Sequence, residues 1–367
     1  MPARNAIIQT RHKENMMFQS APEDFGLGEA RNIETETVLS DPSWTLYCLD
    51  HEKREALFVK TPHNLDLTQA PFLFQAQFLN AQELITIDFE TFHRLAATIK
   101  PDSQKIIFVH SVGRCGSTLM SKVFSSLPGV CSLSEPDPAT QLTEWRGRHL
   151  LPERELYALS ESSTRFSCKP WPARNHDTRW AFKYRAQCIE IADWLMKAFP
   201  NAKQLFIRRQ PLSWLESAFR AFVEPEQYRD PAFIALFEEV WGHYLPLIQN
   251  QQTPGKPMSV SKTWMYIWIA VRESQKHHES AGLHFHELDY EQLKTNPEHI
   301  LKKAFEYCGL TTDDWSPVHA TLQEDSQAGT VIARSKIRNL DRAVPQDGLA
   351  EAISLLTQWG YPPAPIQ

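Results

Sequence analysis

Val109-His110-Ser111-Val112-Gly113-Arg114-Cys115-Gly116-Ser117-Thr118-Leu119 is the stretch that decides the fold. It continues from KIIFVH (105–110), an apolar run that reads as a buried strand, and it leads into a helical pattern over 118–127 that Pro128-Gly129 stops. A strand, a glycine-bearing loop and a helix start in this order form an anion cradle. The glycines let the chain wrap tightly, and the free amides at the helix start face the anion with the helix dipole behind them. Ser117 and Thr118 add hydroxyl donors, and Arg114 adds a permanent positive charge. The loop is not a Walker A sequence, which needs glycine where Ser111 stands and lysine where Ser117 stands. The plain alternative is a strand-to-helix turn that holds no ligand.

Outward from this loop the pattern repeats. VCSLS (130–134), RWAFKY (179–184), KQLFIR (203–208) and LHFHEL (283–288) read as further strands. Helical spacing covers 189–199, a stretch from Leu212, about 231–249 and 262–281. Five strands separated by helices predict an α/β three-layer sandwich with a parallel sheet covered on both faces. Ligands in such sheets bind beyond the carboxyl ends of the strands. Residues 101–367 are assigned to this domain and 1–100 to a small N-terminal α+β extension of unknown role. Within the extension, 1–40 reads as a loose polar leader, and 44–49 with 56–60 as a β-hairpin around a charged turn. A short strand at 84–87 follows, with Asp88 placed to cap a helix over 89–99. The stretch 146–178 reads as an insertion with no legible fold.

Composition excludes several classes. Of 367 residues, 42% are hydrophobic and 22% charged, the values of an ordinary globular chain. The net charge of −6 argues against a nucleic-acid partner, while leaving room for a local basic pocket. No run reaches membrane-spanning length, and the start carries no apolar core of signal-peptide length. The six cysteines are scattered without a C-x-x-C pair, which predicts neither a zinc site nor a disulfide framework and fits a cytoplasmic setting.

The loop at 114–119 resembles the R-S-G-[ST]-T-L signature of PAPS-dependent sulfotransferases, with Cys115 in place of the frequent serine. In that family this loop holds the 5'-phosphate of PAPS (3'-phosphoadenosine 5'-phosphosulfate). The resemblance implies Arg114, Cys115, Gly116, Ser117 and Thr118 as binders. FIRRQPLSWLESAFR is similar to the family's R-[DN]-P-x-x-x-x-x-S run, which grips the 3'-phosphate. It implies Arg209 and Ser217 there, with Gln210 replacing the usual acidic residue. LDYEQLKTNPEHILKKAFEYCGL (288–310) resembles the family's closing strand-and-helix element, and ARSKIRN (333–339) loosely resembles a C-terminal stretch near the nucleotide, which brings in Ser335. The first hundred residues match nothing in the family.

Sulfuryl transfer builds charge on the leaving phosphate oxygen, so the site needs cations there and a base for the acceptor proton. Lys183 ends the third strand and resembles the lysine that touches the transferring group; Arg114 is the second cation. Glu135, directly after the second strand and before Pro136, resembles the catalytic glutamate of tyrosylprotein and certain bacterial sulfotransferases. Asp137 is its rival. His110 lies inside a strand and reads as structural, and Trp264 and Trp268 read as core or as the wall of an acceptor pocket. The expected function is transfer of a sulfuryl group from PAPS to a hydroxyl, or else an amine, of an unidentified acceptor, without a metal. A small-molecule kinase using ATP and a non-catalytic nucleotide-binding adaptor are the alternatives.

Overall fold

The computed structural model describes residues 3–169, 178–338, 340 and 342–361. Its strands, numbered in chain order, fall into two five-stranded sheets. The first comprises β1 (Ala3–Arg11), β2 (Phe25–Ile33), β3 (Trp44–Asp50), β4 (Glu55–Lys60) and β5 (Glu83–Asp88) in the order β2-β1-β5-β4-β3, all antiparallel. The second comprises β6 (Ile106–Ser111), β7 (Val130–Ser134), β8 (Arg179–Lys183), β9 (Lys203–Arg208) and β10 (His286–Asp289) in the order β10-β9-β6-β8-β7, all parallel. The parallel sheet is the one expected from the sequence, and its helices cover both faces.

β6 is the middle strand, with every residue buried, as its unbroken apolar run requires. The chain leaves it toward β7 on one side and later returns to β9 on the other, so the loop after β6 opens at the sheet's topological switch point. The register aligns Val109 with Lys183, Ser134 with Lys183, and Ser111 with Ile207. The carboxyl ends that carry the loop, Lys183, Glu135 and Arg209 therefore share one edge of the sheet.

One apolar core joins the two sheets. Phe108 on β6 stands 5.9 Å from the rings of both Phe182 and Tyr184. From the first sheet's side, Phe58 and Phe92 meet Phe166 at 4.9 and 5.0 Å. Each such ring contributes about 1.5–3 kcal/mol by leaving water. The 44–60 hairpin, the strand ending at Asp88 and the helix Phe89–Ala96 all form. The Asp88 carboxylate accepts from the Thr91 amide at 2.8 Å, so Asp88→Ala should cost about 1 kcal/mol, measurable by thermal or urea melting.

The first forty residues are not a loose leader. β1 and β2 pair with each other, and β1 pairs with β5. Two register shifts, between Ala6 and Ile8 and between Ile8 and Thr10, break the alternation by which a strand is recognised. Most of β2 is also solvent-facing, so few apolar residues are demanded of it. The 146–178 stretch lies behind a helix at Pro138–Gly147 and contains another at Glu153–Ser167; its residues 170–177 lie outside those described. The second helix hid because Ser160, Ser162, Ser163 and Thr164 share its buried side with Leu156, Leu159 and Phe166 and dilute the apolar periodicity. Thr164 donates back to the Ser160 carbonyl at 2.9 Å, which lets a hydroxyl sit inside the core.

Candidate active site

The cradle forms as the loop residues require. Gly113 and Gly116 adopt left-handed φ angles of 75° and 77°, and Gly116 caps the helix Ser117–Ser126. A Cβ on Gly116 would also come within 3.3 Å of the Tyr290 ring. The Trp214 indole donates to the Val112 carbonyl at 2.8 Å and fixes the loop against the following helix. Cys115 points its sulfur into the core toward the Ile207 carbonyl, 3.4 Å away, and burial pushes its thiol pKa up. Only its backbone faces the cradle's chemistry, so serine's replacement here removes no needed hydroxyl.

Arg114, itself at φ 48°, turns its side chain across the mouth of the cradle. Its Nε donates to Ser217 Oγ at 3.3 Å and a terminal nitrogen to Gln327 Oε1 at 3.1 Å, while its face lies over Phe222. Arg209 donates to the Arg114 carbonyl at 2.5 Å and to Ser213 Oγ at 3.2 Å, and stacks over Tyr290. The loop arginine, the later arginine and Ser217 thus meet at one place. Burial, aided by the neighbouring Arg209 charge, brings the Arg114 pKa down to about 10. Neither guanidinium has an acidic partner among the described residues. Two adjacent cations held this way attract an anion. Trp268 supports the group by donating to the Arg209 carbonyl at 3.1 Å. Both Trp264 and Trp268 are buried, as core residues.

Beside this anion site stands a buried ion pair. Lys183 Nζ bonds Glu135 Oε1, and the Glu135 amide donates to the Lys183 carbonyl at 2.6 Å. Glu135 has a φ of 58°, a conformation a β-carbon resists, so the turn holds it under strain. Asp137 is fully buried: it accepts from the Ser20 amide at 2.5 Å and pairs at 3.0 Å with Arg185, which also faces Glu135. Its pKa is pushed up by burial against the opposing pull of Arg185. Ser335 is exposed on the short helix Arg334–Ile337, on the segment whose Gln327 reaches Arg114.

His110 is fully buried, with Nε2 against Gln204 Oε1 at 2.9 Å, and burial brings its pKa down to about 3. It is structural. Because the folded pKa lies below the ordinary 6.5, the unfolded chain binds the extra proton between those values. Stability should therefore fall as pH drops from 6.5 toward 3, and His110→Gln should flatten that part of a urea-melting series against pH.

Sequence reasoning missed Arg185, Tyr290, Gln327 and the pair Phe72 and Phe74. Lys183 lies over the Phe72 ring and Arg185 over Phe74 at 4.3 Å. Arg185 was findable: two residues beyond Lys183 at a strand end, it falls on the same side of the chain. The phenylalanines were not, because nothing local links the extension to the sheet edge.

A strand-loop-helix anion cradle at the switch point of a parallel sheet, with cations at the neighbouring strand ends, defines a protein that handles phosphate or sulfate groups. The model of the sulfotransferase family matches residues 107–314, more than half of the chain, and the chain belongs to that family. No curated protein matches the sequence. Among solved structures, it is similar to a sulfotransferase from Alicyclobacillus acidocaldarius at 16% identity and a TM-score of 0.42, covering 71% of this chain and 92% of that one. The sulfotransferase domain from the Curacin biosynthetic pathway is similar at 14% identity and a TM-score of 0.40, covering 71% and 98%. A mouse sulfotransferase complexed with PAP is similar at 14% identity and a TM-score of 0.34, covering 74% and 88%. These likenesses are distant, and membership of the family rests on the family match. No helix among the described residues is long and apolar enough to cross a membrane, and no cluster of possible metal ligands is present among them.

Proposed function

We propose that this chain transfers a sulfuryl group from PAPS to a hydroxyl, or less readily an amine, of an acceptor by in-line displacement. The observation that carries the reading is the meeting of Arg114, Arg209 and Ser217 without an acidic partner among the described residues. That pairing, together with the free amides of the cradle, fits a nucleotide bearing phosphates at two positions. The amides of Arg114, Cys115 and Gly116 with the hydroxyls of Ser117 and Thr118 are assigned to the 5'-phosphate. Arg209 and Ser217 are assigned to the 3'-phosphate, and Ser335 to the nucleotide's outer edge.

PAPS supplies an activated sulfuryl group whose departure leaves negative charge on a phosphate oxygen. Lys183 and Arg114 are assigned to stabilise that charge, and the low dielectric of a buried site strengthens their effect. Glu135 is assigned to take the acceptor proton. Both carboxylate oxygens face cations, Lys183 through a hydrogen bond on one and Arg185 at an ion-pair distance of 3.3 Å on the other. All six cysteines are buried and free, which supports a reducing, cytoplasmic setting.

Ser217→Ala should weaken binding of PAP, the desulfated product, about ten-fold, the value of one hydrogen bond to a charged group. The function itself is tested with sulfur-35-labelled PAPS and a panel of alcohols, phenols and amines. Labelled product above a Glu135→Gln control supports the reading. Binding of PAPS without release or transfer of label under any condition would move the chain to the non-catalytic adaptor.

A further inference from the structure

We infer that Arg185 is a positioning residue for Glu135, and that the N-terminal extension forms part of the catalytic centre by holding Arg185 in place. The inference rests on Glu135 being the base, as proposed above.

Arg185 is mostly buried, with 13% of its side chain exposed, and its guanidinium has four kinds of neighbour. Its Nε lies 3.3 Å from Glu135 Oε2, and a terminal nitrogen lies 3.0 Å from Asp137 Oδ1. The other terminal nitrogen donates to the Met17 carbonyl at 3.0 Å, and its face rests on Phe74 at 4.3 Å. Two of these four, Met17 and Phe74, belong to the extension. Asp137, the second carboxylate, accepts from the Ser20 amide at 2.5 Å, so the same strap between β1 and β2 closes the circuit. The strap is pinned behind: Asp24 accepts from the Ala21 amide at 3.0 Å and from Lys13 at 2.7 Å, and Tyr47 of β3 donates to it as well. Gln75 ties the Met16 carbonyl at 2.8 Å. A continuous set of polar contacts therefore runs from Glu135 through Arg185 and Asp137 into the antiparallel sheet.

The physical need for it follows from the turn. Glu135 sits at φ 58°, and Lys183 alone would fix only one of its oxygens. The guanidinium lies at ion-pair distance from both carboxylates without a hydrogen bond to either, so it holds them through charge and packing. Arg185 in turn cannot stay buried between them without partners for its remaining N–H groups, and the Met17 carbonyl supplies one. The extension also shapes the neighbourhood directly: Phe72 lies under Lys183, and Ser134, the residue before Glu135, donates to the Pro71 carbonyl at 2.6 Å.

The test uses the full chain, with PAPS converted to PAP and sulfate by water under single-turnover conditions and protein in excess, followed by mass spectrometry. PAP affinity and thermal midpoint are measured on the same samples, with Glu135→Gln as reference. Arg185→Met should lower turnover roughly 100-fold, the scale of a misplaced catalytic group, while PAP affinity changes by no more than about two-fold. Arg185→Lys should recover part of the rate, and Asp137→Asn should lower it roughly ten-fold without touching Glu135. Hydrogen exchange over 13–24 should quicken in Arg185→Met, as the strap loses its anchor. Should Arg185→Met fail to fold, Asp137→Asn carries the test alone. A folded Arg185→Met or Asp137→Asn protein that keeps the wild-type rate while Glu135→Gln loses it would overturn the inference. Wild-type turnover in Glu135→Gln would instead overturn the base assignment beneath it.

Discussion

Arg209→Ala is expected to weaken PAP binding by roughly 10- to 100-fold, the largest loss of affinity for any single change at the site. Three features set that size. The side chain is a cation without an acidic partner among the described residues, so an anionic ligand is its natural counter-charge. It donates to the Arg114 carbonyl at 2.5 Å, so its loss also frees the loop assigned to the other phosphate. It rests on Tyr290, whose ring stands against Gly116, so its position is set by packing before any ligand arrives. Calorimetry on the variant checks the value. An unchanged affinity would remove Arg209 from the nucleotide site. Arg209→Lys should recover little, because one ammonium cannot reproduce the forked contact.

Glu135→Gln is expected to lower turnover by roughly 10²- to 10⁴-fold with PAP affinity nearly unchanged. The amide keeps the shape of the side chain and one oxygen for Lys183, but it takes no proton. Lys183→Ala should behave differently. It removes the cation assigned to the leaving oxygen and also strips Glu135 of its nearest partner in a buried setting. Breaking such a pair from one side costs about 3–5 kcal/mol, so lost turnover should come with a lower thermal midpoint. The two variants together separate a chemical role from a structural one. Full turnover in Glu135→Gln would exclude it as the base.

The parallel sheet was legible because its inner strands are buried on both faces and so are mostly apolar; β6 is the clearest case, while the edge strand β10 is partly open. The cradle was legible because positive φ at Gly113 and Gly116 demands a residue type that stands out in any sequence. Arg209 and Ser217 were legible through their spacing across a turn that Pro211 opens. What escaped was whatever depends on contacts between distant segments. β1 and β2 have one face in solvent and an interrupted register, so their apolar signal is weak. Asp137 could be named as a rival base, but its buried contacts with the Ser20 amide and Arg185 could not be foreseen. Nor does any local pattern place Phe72 and Phe74 beneath Lys183 and Arg185. The chemistry of the site is written in short motifs. Its support is written in tertiary packing.

The paired arginines and the cradle are proposed to hold a nucleotide with both a 3'- and a 5'-phosphate. Calorimetric titration of the wild-type chain with PAP, against ATP–Mg²⁺ as control, tests it most directly. The expected result is binding of PAP that Arg209→Ala weakens and that ATP–Mg²⁺ does not reproduce. Binding of ATP–Mg²⁺ with none of PAP would contradict it and favour a small-molecule kinase using ATP instead.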